Sequence, residues 1–335
     1  MLNFDPARFL RIQTGTVSIA RDLGTLVGRL VAEGADSLFF MGSGGAGILM
    51  QPATDLMRRA SNLPCHNVLC AEIVLTGHVA LGPKSVVIMP SLSGTTKESI
   101  AAMDYVKARG ATVISITGHA DTPLAKGADH AFVNFAEDDT SCEMFYVTSL
   151  VAALSAMQAR GERSDYDRIS GELAGLPQQL LAVKQAFEPR ADALAQAIAG
   201  DGWHILTGSG AAWPEAYYYG MCILEEMQWI RTRPVHASDF FHGTLELVEK
   251  GVSVVVFAGE DETRPLTDRV IAFAKGYTDK LTVLDTRDLA TTGLSSDLRA
   301  MLAPALLATV LERLSAHLEV MRNHPLVTRR YYKRV

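Results

Sequence analysis

Cysteine is scarce: Cys65, Cys70, Cys142 and Cys222 are the only four in 335 residues, and none forms a CxxC pair. So few and so dispersed, they exclude a disulfide framework and a cysteine-built zinc site. The GK[ST] ending of a P-loop is also missing. The longest apolar stretches, such as that around residues 147–157, fall well short of the roughly twenty residues of a membrane span. The N-terminal stretch MLNFDPARFLRIQTG has no basic segment followed by an apolar one, so no signal peptide is expected. Positive charge is not concentrated either. Lys and Arg number 31 against 37 Asp and Glu, a net charge of −6, with a pI near 5.9. That excludes sequence-independent nucleic-acid binding, which needs a basic surface, yet leaves room for one small anion. The expectation is a soluble, reduced, cytoplasmic protein with neither nucleic acid nor membrane as partner.

What is present points to a folded α/β protein. Hydrophobic residues make up 48% and charged residues 20%, which rules out a disordered chain, and the length suits about two domains. Residues 1–34 predict an amphipathic helix, with Phe9, Ile12, Val17, Ile19, Leu23, Leu26, Val27 and Leu30 near helical spacing. SLFFMGSGGAG then runs an apolar strand into a glycine turn, and further strands are predicted at NVLCA (67–71), SVVIMP (85–90), TVISITG (112–118) and HAFVNF (130–135). Helical stretches separate most of them, TTKESIAAMDYVKARG being the clearest. Short β-branched runs alternating with helices imply a parallel sheet covered on both faces.

The second half repeats the plan. HILTGSGAA answers FFMGSGGAG, with Gly208 and Gly42 separated by 208 − 42 = 166 residues, VSVVVFAG answers SVVIMPSL, and RPVHAS answers HNVLCA. Matched order and spacing over three strands indicate internal duplication. The predicted organisation is a helical segment at 1–34, a first α/β unit at 35–158, a helical connector at 159–200, a second unit at 201–322 and a tail at 323–335.

Ligands of open parallel sheets bind at the carboxyl ends of the strands, where loop amides and helix N-termini converge. Two such loops stand out: Gly42-Ser43-Gly44-Gly45-Ala46, and Ser91-Leu92-Ser93-Gly94-Thr95-Thr96 before a helix. Capping alone would account for one Ser or Thr at a helix start. Four hydroxyls in six residues exceed that need and form an uncharged cradle for a phosphate dianion. The matching stretch of the second half, Gly259-Glu260-Asp261-Glu262-Thr263, would repel one. The second half instead offers Glu225 and Glu226 on a predicted helix, followed by His236 and His242. A carboxylate and a histidine are suitable partners for proton transfer on a bound sugar. From the residues alone either glutamate could be a solvated helix face, and His236 a structural residue.

A glycine loop, an S-x-S-G-x-T loop and a helix, repeated once, resemble the double sugar-isomerase (SIS) architecture over nearly the whole chain from about residue 35. That architecture includes the isomerase half of glucosamine-6-phosphate synthase and the fructosamine-6-phosphate deglycases. The resemblance implies two SIS domains of α/β class, each a parallel sheet between helix layers. It assigns Ser91, Ser93 and Thr96 to the sugar phosphate, with Leu92 in the same loop and Ser43 and Gly44 in the first loop. Where the synthase has a further hydroxyl this chain has glycine, so that contact would come from backbone or be absent. The family's catalytic carboxylate lies sixteen residues before the histidine of an H-G-P/T-L stretch; 242 − 226 = 16 selects Glu226 and His242. Thr244 stands where proline is usual.

EMQWIRTRPVHASDFFHG and the tail NHPLVTRRYYKRV look closer to the deglycases than to the synthase. Arg330 aligns with a synthase lysine that engages the open-chain sugar, and an arginine, always protonated, cannot form its Schiff base. No glutaminase domain precedes the first unit, which counts against a synthase. The resemblance therefore implies hydrolysis of 6-phosphofructosyl-amines without metal or organic cofactor, by a homodimer in which His242 can act across the interface. Arg231, Arg233 and Arg330, with His236, are candidate contacts to the amino-acid portion. Aldose–ketose isomerisation or deamination of an amino-sugar phosphate, and a non-catalytic phosphosugar sensor, are the rival expectations.

Overall fold

The computed structural model describes all residues except 135, 138–140 and 333–335. The last residue of the expected strand at 130–135 and the last three of the expected tail therefore lie outside the described residues. The chain divides into two compact units, Pro6–Gln178 and Met1–Asp5 with Gln179–Val335.

The first unit opens with α1 (Pro6–Ala32), followed by β1 (Ser37–Gly42), the short α2 (Gly45–Ile48) and α3 (Gln51–Ala60). Then come β2 (Cys65–Leu69), α4 (Cys70–Thr76), β3 (Ser85–Ser91), α5 (Lys97–Lys107), β4 (Thr112–Thr117), α6 (Pro123–Gly127) and β5 (His130–Val133). It ends with α7 (Glu143–Ala159) and α8 (Tyr166–Ala174). All five strands are parallel, in the order β2-β1-β3-β4-β5. β1 and β3 are buried along their whole length, which is why they read as continuous apolar runs rather than alternating ones. Phe39, Met41, Val87, Met89 and Val113 face α4 and α5 through Ile73, Ala102, Met103 and Val106. The intervening residues, Phe40 and Ile88 among them, are equally buried and by strand alternation face the other way. α7 is buried on all sides from Glu143 to Met157, so the long apolar run of the sequence is a central core helix.

In the second unit α9 (Leu176–Ala199), which enters it at Gln179, leads to β6 (Trp203–Gly208) and α10 (Trp213–Tyr218). β7 (Arg231–His236), β8 (Ser253–Ala258), α11 (Arg264–Tyr277) and β9 (Lys280–Asp285) follow, and α12 (Ser296–Met301) and α13 (Ala303–Met321) close the unit. Its parallel sheet has the order β7-β6-β8-β9, the same crossing pattern as β2-β1-β3-β4. The repeat read from the sequence is thus a repeat of topology.

The structure departs from the sequence reading at four places. Cys70 and Ala71, expected in a strand, begin α4. β9 was not anticipated, since its KLTVLD carries lysine, threonine and aspartate among few apolar residues and is only half-buried. The segment holding Glu226 is not regular helix: α10 loosens into a π-helical turn, Tyr219–Glu225, and the chain then turns at Trp229, which has a positive φ of 56°. The stretch expected as a connector at 159–200 supplies α8 to the first unit and most of α9 to the second. No helix among the described residues is long and apolar enough to cross a membrane.

Candidate active site

The hydroxyl loop of the first unit joins the end of β3 to the start of α5. Ser91, only 4% exposed, accepts the Gly94 N–H on Oγ at 3.2 Å, which closes the turn. Gly94 has φ 60°, and a Cβ there would drive into the Thr122 side chain, so only glycine fits. Ser93 Oγ accepts from the Thr95 amide at 3.3 Å and the Thr95 hydroxyl at 3.2 Å. Thr96 is the N-cap of α5 but its side chain makes no capping bond, so its hydroxyl is not spent on the helix. Leu92 is half-buried, and its carbonyl accepts from Gly118 at 2.9 Å.

The glycine loop faces the same helix. Ser43 Oγ lies 3.3 Å from Ser99 Oγ, a buried serine in the first turn of α5. Ser99 was missed in the sequence because it lies inside the helix, beyond the loop that drew attention. Both hydroxyls also contact the Cys70 thiol, which burial pushes up, an effect these hydrogen bonds partly offset. Gly44 has φ 56°, and a Cβ on it would meet open space. The loop is therefore uncrowded, lined by hydroxyls and by the amides of a helix start, which is suitable for an anion.

The second unit contains the acid–base candidates. Glu225 is engaged in structure: its Oε1 accepts from the Thr232 amide at 3.1 Å and the Thr232 hydroxyl at 2.7 Å, tying the π-helical turn to β7. Glu226 differs. Its Oε1 receives the Arg329 Nε at 2.8 Å, with side chains 35% and 14% exposed respectively. Arg329 was not singled out from the sequence. Its neighbour Arg330, which was, lies instead over the Trp229 ring at 3.7 Å. His242 is exposed on the turn after β7, and its side chain has no hydrogen-bond partner among the described residues.

His236 ends β7 beside Gly208, with Nδ1 2.7 Å from Ser238 Oγ and its ring edge-on to Trp213. Arg233 donates from Nε to Thr244 Oγ1 at 3.1 Å, and Arg231 is exposed at the start of the same strand. The cradle thus belongs to one unit, and Glu226, His242, His236 and the three arginines to the other. No cluster of three His, Cys, Asp or Glu suited to a metal occurs among the described residues.

Residues 33–160 match the SIS domain model. Over 325 residues, 96% of this chain and 98% of the relative, the sequence is 31% identical to the fructosamine deglycase FrlB of Bacillus subtilis (strain 168). The chain belongs to the SIS-domain family. A second relative, the fructoselysine 6-phosphate deglycase of Escherichia coli (strain K12), is 27% identical over 307 residues, covering 92% of this chain and 88% of its own. The crystal structure of a candidate phosphosugar isomerase from Bacillus subtilis superimposes with a TM-score of 0.84 at 31% identity, over 90% of this SIS chain and 92% of that one. The two parallel sheets are therefore two SIS domains, only the first of which the family model covers.

Proposed function

We propose that the protein is a deglycase that hydrolyses 6-phosphofructosyl-amines, releasing glucose 6-phosphate and a free amine or amino acid. The observation that carries this reading is the end-to-end match to two deglycases. Ser91, Ser93 and Thr96, with Ser43, the Gly44 backbone and Leu92 beside them, hold the sugar phosphate. That binding energy fixes the reacting carbons at the other end of the substrate.

His242 moves the hemiketal proton to open the ring. The Glu226 carboxylate then takes a proton from C1; the C–H pair becomes the C1=C2 bond, and the carbonyl pair moves to O2, which takes up a proton. The resulting enaminol is protonated at C2 as the nitrogen lone pair forms C1=N. Water adds at C1 and the amine departs, leaving the aldehyde of glucose 6-phosphate. Every step is a proton transfer or an addition, within reach of a carboxylate and an imidazole. Arg231, Arg233, Arg330 and His236 are the candidates for contact with the amine portion.

The same reading makes the active molecule a homodimer, with His242 serving the partner's substrate. Its exposure and its lack of an intramolecular partner among the described residues support this. A panel of phosphorylated Amadori compounds, followed by mass spectrometry, tests the activity: fructosyl-amino-acid phosphates should yield glucose 6-phosphate, and glucosamine 6-phosphate should turn over little. Turnover confined to glucosamine 6-phosphate would sink the reading. Mixing Glu226→Gln and His242→Ala subunits should restore activity only if the histidine acts in trans.

A further inference from the structure

The tail does more than pass Glu226. Gln228 Nε2 donates to the His324 carbonyl at 2.8 Å, and the His324 ring packs edge-on against Trp229 at 4.4 Å between centroids. Six residues later the Arg330 guanidinium lies over the same indole. The tail is therefore gripped at two points by one side chain, and that side chain stands on a residue in the left-handed region. Such a conformation costs a non-glycine residue about 1–2 kcal/mol and persists only where its surroundings enforce it. Here it turns Trp229 outward, 37% exposed, as the tail's anchor.

Between the two grips the chain folds into a turn, with the Thr328 amide on the Pro325 carbonyl at 2.9 Å. Arg329 Nη1 donates to the carbonyls of Leu326 at 2.6 Å and Thr328 at 3.1 Å. Its guanidinium is thereby oriented by its own backbone before it meets Glu226. A fixed guanidinium is a rigid fork, and the carboxylate oxygen bound to it loses its freedom to rotate.

We propose that Arg329 is a positioning residue for the catalytic carboxylate, an inference that rests on Glu226 being the base. It sets the plane of the Glu226 carboxylate that faces the C1 proton. Trp229, His324 and Arg330 act one step further back, holding the turn that carries Arg329. A substrate-binding role for Arg329 would appear chiefly in KM; a positioning role appears in kcat.

The experiment measures glucose 6-phosphate release by the full-length protein carrying Arg329→Ala, Arg329→Lys, Glu226→Gln and Glu226→Gln with Arg329→Ala. The expected result is a loss of about 100-fold in kcat for Arg329→Ala with KM within about threefold. Arg329→Lys should recover at least about a tenth of the rate, and millimolar guanidinium ion should partly rescue Arg329→Ala. Removing Arg329 from the Glu226→Gln protein should cost nothing further, because the residue acts through the carboxylate. An Arg329→Ala kcat within twofold of normal overturns the proposal, as does a loss confined to KM or an equal additional loss in the Glu226→Gln background. If Arg329→Ala does not fold, Arg329→Lys decides by the same kcat and KM criteria. Full activity of Glu226→Gln would instead remove the base itself, which separates that failure from this one.

Discussion

The two glycine loops descend from one plan yet treat negative charge in opposite ways. In the first unit the loop after β1 leaves open space at Gly44, next to Ser43, whose hydroxyl meets that of Ser99. In the second, the helix after the loop that matches residues 91–96 begins at Arg264 where the first unit's begins at Lys97, an offset of 264 − 97 = 167, so Gly94 corresponds to Asp261 (261 − 94 = 167). Asp261 fills the place the first unit keeps open: it accepts from the Ala211 amide at 2.8 Å, the Thr263 amide at 2.9 Å and the Thr263 hydroxyl at 2.5 Å. A Cβ on Gly210 would collide with that carboxylate. The sequence suggested that the acidic loop would repel phosphate; the structure shows a carboxylate already occupying the amides. One unit is left free to bind an anion. The other satisfies its own.

The contrast extends beyond the loops. The best-buried ion pairs among the described residues belong to the second unit: Arg313 with Glu188, Lys184 with Glu312, Arg264 with Asp285 and Arg299 with Glu260. Glu226 with Arg329 continues that habit at the candidate site. The largest predicted effect tests whether chemistry really sits on this side. Under the proposed mechanism Glu226→Gln should lower kcat by about 10³-fold or more while phosphosugar affinity, measured by calorimetry, stays near normal, because it removes the proposed base and leaves the proposed cradle intact. A variant that fails to bind phosphosugar would mean that the two units do not divide the work in this way.

Next in size is the cost of disturbing a buried charge. Burial pushes the Glu188 carboxyl up, but hydrogen bonds from Arg313 and the Leu2 amide, the Arg313 charge and His317 outweigh it and hold the group at about 2 rather than 4.5. A folded value below the unfolded one contributes stability above pH 4.5, and that contribution is lost as pH falls towards 2. At 1.36 kcal/mol per unit this is on the order of 3 kcal/mol. Denaturant midpoints between pH 2 and 5 should therefore fall for the native protein. Glu188→Gln should lose about 3–5 kcal/mol at neutral pH by leaving Arg313, 1% exposed, without its anion, and should show a flatter acid limb. Equal acid slopes for the two proteins would reject the assignment.

Much of this division was legible in the sequence, and the exceptions have physical causes. Hydroxyls clustered at 91–96 and the glycine turns are local patterns that survive without coordinates; the sixteen-residue interval from Glu226 to His242 had meaning only through the resemblance to SIS enzymes. Ser99 and Arg329, and the partner that Asp261 takes, were invisible for a different reason. Each acts on a partner far along the chain: Ser99 on Ser43, Asp261 on Ala211, Arg329 on Glu226. The strand β9 escaped because an edge strand that is only half-buried does not need the apolar run that marks β1 and β3. The π-helical turn escaped because its composition, YGMCILE, is that of any buried helix.

The first unit's loop can be probed by hydroxyl. Ser93→Ala removes an uncharged donor to a dianion, a hydrogen bond worth about 2 kcal/mol, and should raise KM by roughly 30-fold with kcat little changed. Its fold should be unaffected, since the serine oxygen otherwise serves only the exposed Thr95. An unchanged KM would take Ser93 out of the cradle.

The smallest effect sharpens the comparison most. Asp261→Asn keeps the shape of the side chain but leaves one oxygen where two were needed. The Asp261 Oδ1 accepts both from the Thr263 amide and hydroxyl, and Oδ2 accepts from Ala211, so an asparagine NH₂ must point at a donor whichever way it is turned. The mismatch should cost about 1–2 kcal/mol, a fall of a few degrees in Tm. KM for the phosphosugar should not move, because this loop's amides serve the protein and not the substrate. If Asp261→Asn instead raises KM as much as Ser93→Ala does, both loops belong to one binding surface, and the asymmetry between the duplicated units lies in the acid–base residues alone.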